Sequence, residues 1–79
     1  MKRYFIVSDI EWDTDEALPK EIGVVASEED IQEWETQGYD QEDIENEIIN
    51  HLTNEYEWCI SNCFIDEVTE DKYKIKFNI

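Results

Sequence analysis

Tyr39-Asp40-Gln-Glu-Asp43-Ile44-Glu-Asn-Glu-Ile48-Ile49-Asn-His51-Leu52-Thr-Asn-Glu-Tyr56 is the stretch that decides the fold. Ile44, Ile48, Leu52 and Tyr56 recur every four residues and Ile49 widens the stripe, the signature of a helix with one buried face. Asp40 is its N-cap, Asp43 stands at the third helical position, and Tyr39 and Ile44 occupy the two positions of a hydrophobic staple. Glu42, Glu45 and Asn46 point away from the stripe. No lysine lies four residues beyond any of its acids, so pairing within the helix cannot offset their repulsion.

Working back from this helix, Gly38 is a natural C′ residue for a shorter helix that begins after Ser27. Ser27 is the N-cap and Asp30 a weaker form of the capping-box acid. Ala26 and Ile31 make a second staple, and Glu28 and Glu29 suit the positive end of the helix dipole. Ile31 and Trp34 are the only core contacts expected of it. Before it, residues 4–12 and 21–26 read as strands separated by an acidic loop ending at Pro19. In the first strand Tyr4, Ile6, Ser8, Ile10 and Trp12 share one face and Phe5 and Val7 the other, so its first half is expected to be buried on both sides.

Working forward, residues 58–68 read as a third strand and Thr69-Glu-Asp71 as a turn. Residues 72–79 read as a fourth strand: Tyr73, Ile75, Phe77 and Ile79 alternate with Lys72, Lys74, Lys76 and Asn78, and a lysine row guards an edge strand. The order is ββααββ, or ββαββ if the first helix frays. The expectation is one α+β domain over residues 1–79 with a four-stranded, mainly antiparallel sheet. One or two helices pack on one face. A right-handed crossover would make strands two and three parallel, with strand one antiparallel between them and strand four on the edge of strand three.

All 22 acidic residues lie between Asp9 and Asp71, and Lys20 is the single lysine or arginine among them. Lys2, Arg3, Lys72, Lys74 and Lys76 flank that segment, and the net charge is −16 in 79 residues. Such a field repels nucleic acid and anionic membrane and attracts basic protein surfaces. Aromatic residues make up 13% of the chain and isoleucine and valine are plentiful, which separates it from charged disordered chains. The apolar run Tyr4 to Val7 is too short for a signal peptide or a membrane span. The expectation is a complete cytosolic (cytoplasmic) protein, with Cys59 and Cys63 as free thiols.

Catalytic and metal signatures fail on spacing. Asp9-x-Glu11-x-Asp13-x-Asp15-Glu16 alternates like a calcium loop. It has Thr14 where that loop needs glycine and Lys20 where it needs glutamate. Cys59 and Cys63, on a strand, would face the same way about 13 Å apart, too far for a disulfide or a shared metal. His51 is the only histidine and cannot complete a zinc set. Two glycines, Gly23 and Gly38, make no phosphate loop. No enzyme activity and no cofactor are expected.

What remains is the charge. Glu28, Glu29, Asp30, Glu33 and Glu35 with Glu42 and Glu45 form the candidate anionic array, and Asp13, Asp15 and Glu16 a second patch. Trp34, set among acids on a short helix, is the expected exposed aromatic anchor, whereas Trp12 and Trp58 are expected in the core. Fixed carboxylates unmatched by lysines can occupy a cleft built for DNA, whose charge falls about every 1.7 Å of axis. The expected partner is a basic protein surface, such as that of a nucleic-acid-binding enzyme. No direct nucleic-acid or membrane contact is expected, and the chain would be a monomer or a homodimer. The alternative is a small regulatory or interaction protein whose acidity serves solubility only.

Ile10-Glu-Trp-Asp-Thr-Asp15, Leu18-Pro-Lys-Glu-Ile22 and Leu52-x-x-x-Tyr56-x-Trp58-Cys-Ile60 together resemble a group of short acidic bacterial and phage proteins. That group has an I-E-W-D-T-D start, an L-P-K-E-I segment and a helix running into a Y-G-F-C-V-like strand. Glu57 and Trp58 stand here in place of its Gly and Phe, residues 27–38 are longer, and the basic tail 72–79 is additional. The resemblance brings no catalytic residue with it. By size and charge alone, without a shared motif, the chain is also similar in type to anti-CRISPR and anti-restriction inhibitors.

Overall fold

The computed structural model describes residues 1–79. Its elements are β1 (Arg3–Trp12), β2 (Ile22–Ala26), α1 (Glu28–Gln37), α2 (Gln41–Tyr56), β3 (Ile60–Val68) and α3 (Glu70–Phe77). The sheet has three strands in the order β2-β1-β3, and β1 pairs antiparallel with both neighbours. The expected α+β class holds, as does the position of the first strand between the second and third. Both helix starts read from the sequence are formed: Ser27 with Asp30, and Asp40 with Asp43, are complete capping boxes. Gly38 closes α1 in the left-handed region at φ 71°. No helix is long and apolar enough to cross a membrane.

The expected fourth strand is a helix, so the order is ββααβα and not ββααββ. Thr69 caps α3 by accepting from the Lys72 amide, Glu70 and Asp71 fill its first turn, Lys74 and Lys76 its last, and Asn78 ends it in the left-handed region. Glu70 and Lys74 pair at 3.0 Å across one turn. These local terms outweigh an apolar alternation that fits a helix equally well at positions four apart. Tyr73 and Phe77 are the pair that packs, with ring centroids 4.9 Å apart, while Ile75 is left 80% exposed. The helices accordingly cover both faces of the sheet, not one.

The second correction lies inside β1. Asp9 sits at φ 51°, and the β1–β3 register shifts between Ser8 and Glu11. The extra residue of this bulge turns the rest of the strand over. Ile10 therefore joins Phe5 and Val7 on the face toward α2 and is buried with them, together with Ala26, Ile44, Ile48 and Leu52. Trp12 follows onto that face, its ring 5.2 Å from Tyr56 and its indole N–H donating to the Pro19 carbonyl at 2.7 Å. Full burial of such side chains contributes about 1.5–3 kcal/mol each.

Trp58, expected in the core, is 38% exposed instead. Glu57 leaves α2 in the left-handed region and β3 starts only at Ile60, so Trp58 and Cys59 lie in the connection. On the opposite face, α3 lies over β1 and β2. The Tyr73 ring stands 5.2 Å from that of Tyr4. A Cβ at Gly23 would come within 2.7 Å of the Tyr73 ring and 2.8 Å of the Phe77 ring, so the bare backbone there is what lets α3 lie down on the sheet.

Two substitutions separate this arrangement from a fourth strand, in which Tyr73 and Ile75 would share one buried face. Tyr73→Ala is expected to cost about 1–3 kcal/mol and Ile75→Asn to stay within about 0.5 kcal/mol. Urea denaturation of the two variants is the check; equal losses would restore the strand.

Candidate functional site

Acidic residues define the surface of the α1–α2 face. The two helices together carry ten carboxylates and no lysine or arginine. Of the candidates, Asp13, Asp15, Glu16, Glu28, Glu29, Asp30, Glu33, Glu35 and Glu42 are exposed and Glu45 is half-buried. Only Glu21, Glu28, Glu67 and Glu70, of all 22 acids, lie within 4 Å of a cationic group. Lys74 and Lys76 sit on α3, across the sheet from α1 and α2, so the two signs of charge are largely segregated.

These acids do not form one plane. Glu28 pairs with the N-terminal ammonium, which with Lys2 holds its carboxyl below the usual carboxylate range. Glu35 faces the same side, toward Arg3. Glu33 belongs to a different group. The Tyr39 hydroxyl, at the α1–α2 junction, donates to Glu47 at 3.4 Å. Its pKa is pushed up, by burial first and then by the carboxylates Glu47, Glu33 and Asp43 around it. Glu45 points toward β3, where it adds to the burial that raises the Cys63 thiol. Asp13, Asp15 and Glu16 lie beyond Trp12, near the C-terminal end of α2. Sixteen helical residues rising 1.5 Å each put that patch about 24 Å from Asp40.

Trp34 is not the exposed anchor expected of it. It is half-buried against the core, edge-on to Phe5 at 6.3 Å. The Arg3 guanidinium stands 5.4 Å from the Phe5 ring and 5.9 Å from the Trp34 ring, a cation–π arrangement. Arg3 also grips Glu67 with two hydrogen bonds of 2.7 and 2.8 Å, so its charge is spent within the fold. The large apolar side chains that do reach solvent are Met1, Val25, Trp58, Phe64, Ile75 and Ile79.

Sequence reading missed a groove. Two adjoining depressions of about 180 and 270 Å³ run between β2 and α2 and share Val24, Val25 and His51. Apolar walls are rimmed by Asp30 and Glu47 at one end and Glu55 at the other. Neither Glu47 nor Glu55 stands out in a uniformly acidic helix; both lie on the β2 side of the Ile44–Ile48–Leu52 stripe, which was the available signal. No group of three or more histidine, cysteine, aspartate or glutamate side chains converges closely enough to hold a metal ion. Cys59 and Cys63 are both free thiols. No protein-family model, no curated protein and no solved structure matches this chain.

The Arg3–Glu67 pair gives a pH test. The hydrogen bond from Arg3 holds the Glu67 carboxyl below its ordinary value. A depressed folded-state value stabilises above the unfolded value near 4.3 and is lost as pH falls through the folded one. Both partners are partly exposed, so the contribution is at most about 1 kcal/mol. Glu67→Gln should therefore lose up to about 1 kcal/mol at pH 7 and nothing once Glu67 itself is protonated. Paired urea titrations at pH 7 and in acid check it.

Proposed function

We propose that the protein binds a basic surface on another protein, and that it does so as a nucleic-acid mimic, occupying the cleft of a DNA- or RNA-processing enzyme and competing with its substrate. One observation carries this reading: α1 and α2 hold ten carboxylates and no lysine or arginine on one side of the molecule. The helices fix these charges in place, which a disordered acidic tail would not. Along α1 five carboxylates, distributed around the helix, occupy ten residues, about 15 Å of axis, or on average one per about 3 Å. Phosphates along one DNA strand follow at about 3.4 Å.

The same charge would speed association with a basic cleft and make it sensitive to salt. The reading is of a binding protein in the cytosol and not of a catalyst. Each group with a displaced acidity is explained by an ion pair or by partial burial, as with Glu67 beside Arg3, Glu70 beside Lys74 and Cys63 in the core wall. Solubility alone is the competing account of the charge, and it requires no partner whose binding follows these carboxylates.

The test is capture of bacterial proteins on the immobilised chain at about 50 mM salt, followed by elution with duplex DNA or with about 300 mM salt. A nucleic-acid enzyme released by both is the expected result. Glu29→Lys, Glu33→Lys and Glu42→Lys together should weaken its binding at least about tenfold without unfolding the chain, since none of the three caps a helix or pairs with a base. A partner indifferent to salt, to DNA and to the reversal would overturn the proposal.

A further inference from the structure

We propose that the free edge of β2, together with the acid-rimmed groove between that edge and α2, receives an extended basic segment of a partner protein as a fourth strand of the sheet. The inference rests on the reading of a basic partner above and adds the place and the conformation in which the partner's chain is held. β2 pairs with β1 on one side only, and no other backbone group bonds its outer edge. Exposed edges are ordinarily guarded by lysine, proline or a bulge. Ile22-Gly-Val-Val-Ala26 has none of these. The depression that touches β3 reaches only its last residues, Glu67 and Val68, beside the start of β1.

The dimensions agree. α2 passes β2 with Glu47 beside Ala26 and Glu55 beside Ile22. Eight helical residues separate Glu47 from Glu55, about 12 Å of rise. Residues four apart on a strand are separated by about 13 Å. A strand added to β2 can thus set one lysine or arginine against Glu47 and Asp30 and another, four residues on, against Glu55. The position between them lies over His51. The apolar stems of such side chains suit walls formed by Val24 and Ile48, with the charged heads at the rim. On the other face of the added strand, apolar residues would lie beside Val25, which is 41% exposed.

Strand addition supplies affinity through main-chain hydrogen bonds and selectivity through alternate side chains. A second copy of this chain is disfavoured as the occupant. Its own β2 would bring its Asp30, Glu47 and Glu55 to the same groove, like charge against like. The groove acids therefore guard the edge against self-pairing while leaving it open to a basic strand.

The probe is a fluorescent octapeptide of alternating lysine and valine, with two versions N-methylated at its odd or its even residues. Anisotropy should show binding of the parent, loss of at least about tenfold for one methylated version, and near-parent binding for the other, because only one edge of the peptide faces β2. Glu47→Lys with Glu55→Lys should also cost about tenfold, while Glu29→Lys/Glu33→Lys/Glu42→Lys should change binding less than about threefold. Amides of residues 22–26 should exchange more slowly in the complex. Equal binding of both methylated peptides would overturn the strand while leaving a basic partner in place. Absence of any binding at low salt would overturn the groove as a basic-strand site and leave the proposed function to its own salt and DNA test, and protection of the β2 amides through self-association without peptide would assign the edge to a second copy.

Discussion

Phe5 and Val7, at the centre of β1, have no exposed surface, and the flanking strands and the two helices α1 and α2 are arranged to keep them so. A chain with 22 acids and six bases works against its own compactness, because self-repulsion favours expansion. Burial around one central strand has to outweigh that. β2 and β3 flank it, α1 and α2 cover Phe5, Val7 and Ile10, and α3 covers Tyr4 and Ile6. None of the eight buried residues is polar or charged, so no desolvated charge adds to the cost.

The acidity lies entirely outside that core. Bases are used sparingly and structurally: Arg3 clamps Glu67 while lying over two rings, and Lys76 reaches Glu21 at 3.2 Å on the far face. Committing the bases to such internal tasks leaves α1 and α2 bare of positive charge. The same segregation explains why the β2 edge can stay free of lysine. Its guard is electrostatic and comes from the neighbouring helix, not from the strand itself.

What the sequence reveals of this fold depends on how local each determinant is. The N-terminal caps and staples of α1 and α2 lie within a few residues of each other, and they are legible. So is the order of the first three strands, which follows from one crossover. The nature of residues 70–77 is not legible from alternation alone, since Tyr73 and Phe77 satisfy a strand face and a helix face equally; Thr69 and Asn78 are the signals that decide it. The Asp9 bulge changes which face Ile10 takes, and nothing in a period-two pattern announces an extra residue. The charged surface is readable because charge needs no partner to be counted. The groove is not, because it exists only where α2 passes the edge of β2.

The pairing of β1 with β3 also governs how the chain comes to be folded. Tyr4 lies opposite Val68, so the first strand cannot complete the sheet until the chain has been made through β3. Pairings this distant in sequence close large loops before any packing compensates for the lost freedom, which slows folding. During synthesis α1 and α2 can form early, but their apolar stripe has only β1 and β2 to rest on, and β1 has one unsatisfied edge. The nascent chain is held apart from its neighbours in that interval by the same charge that burdens the finished fold.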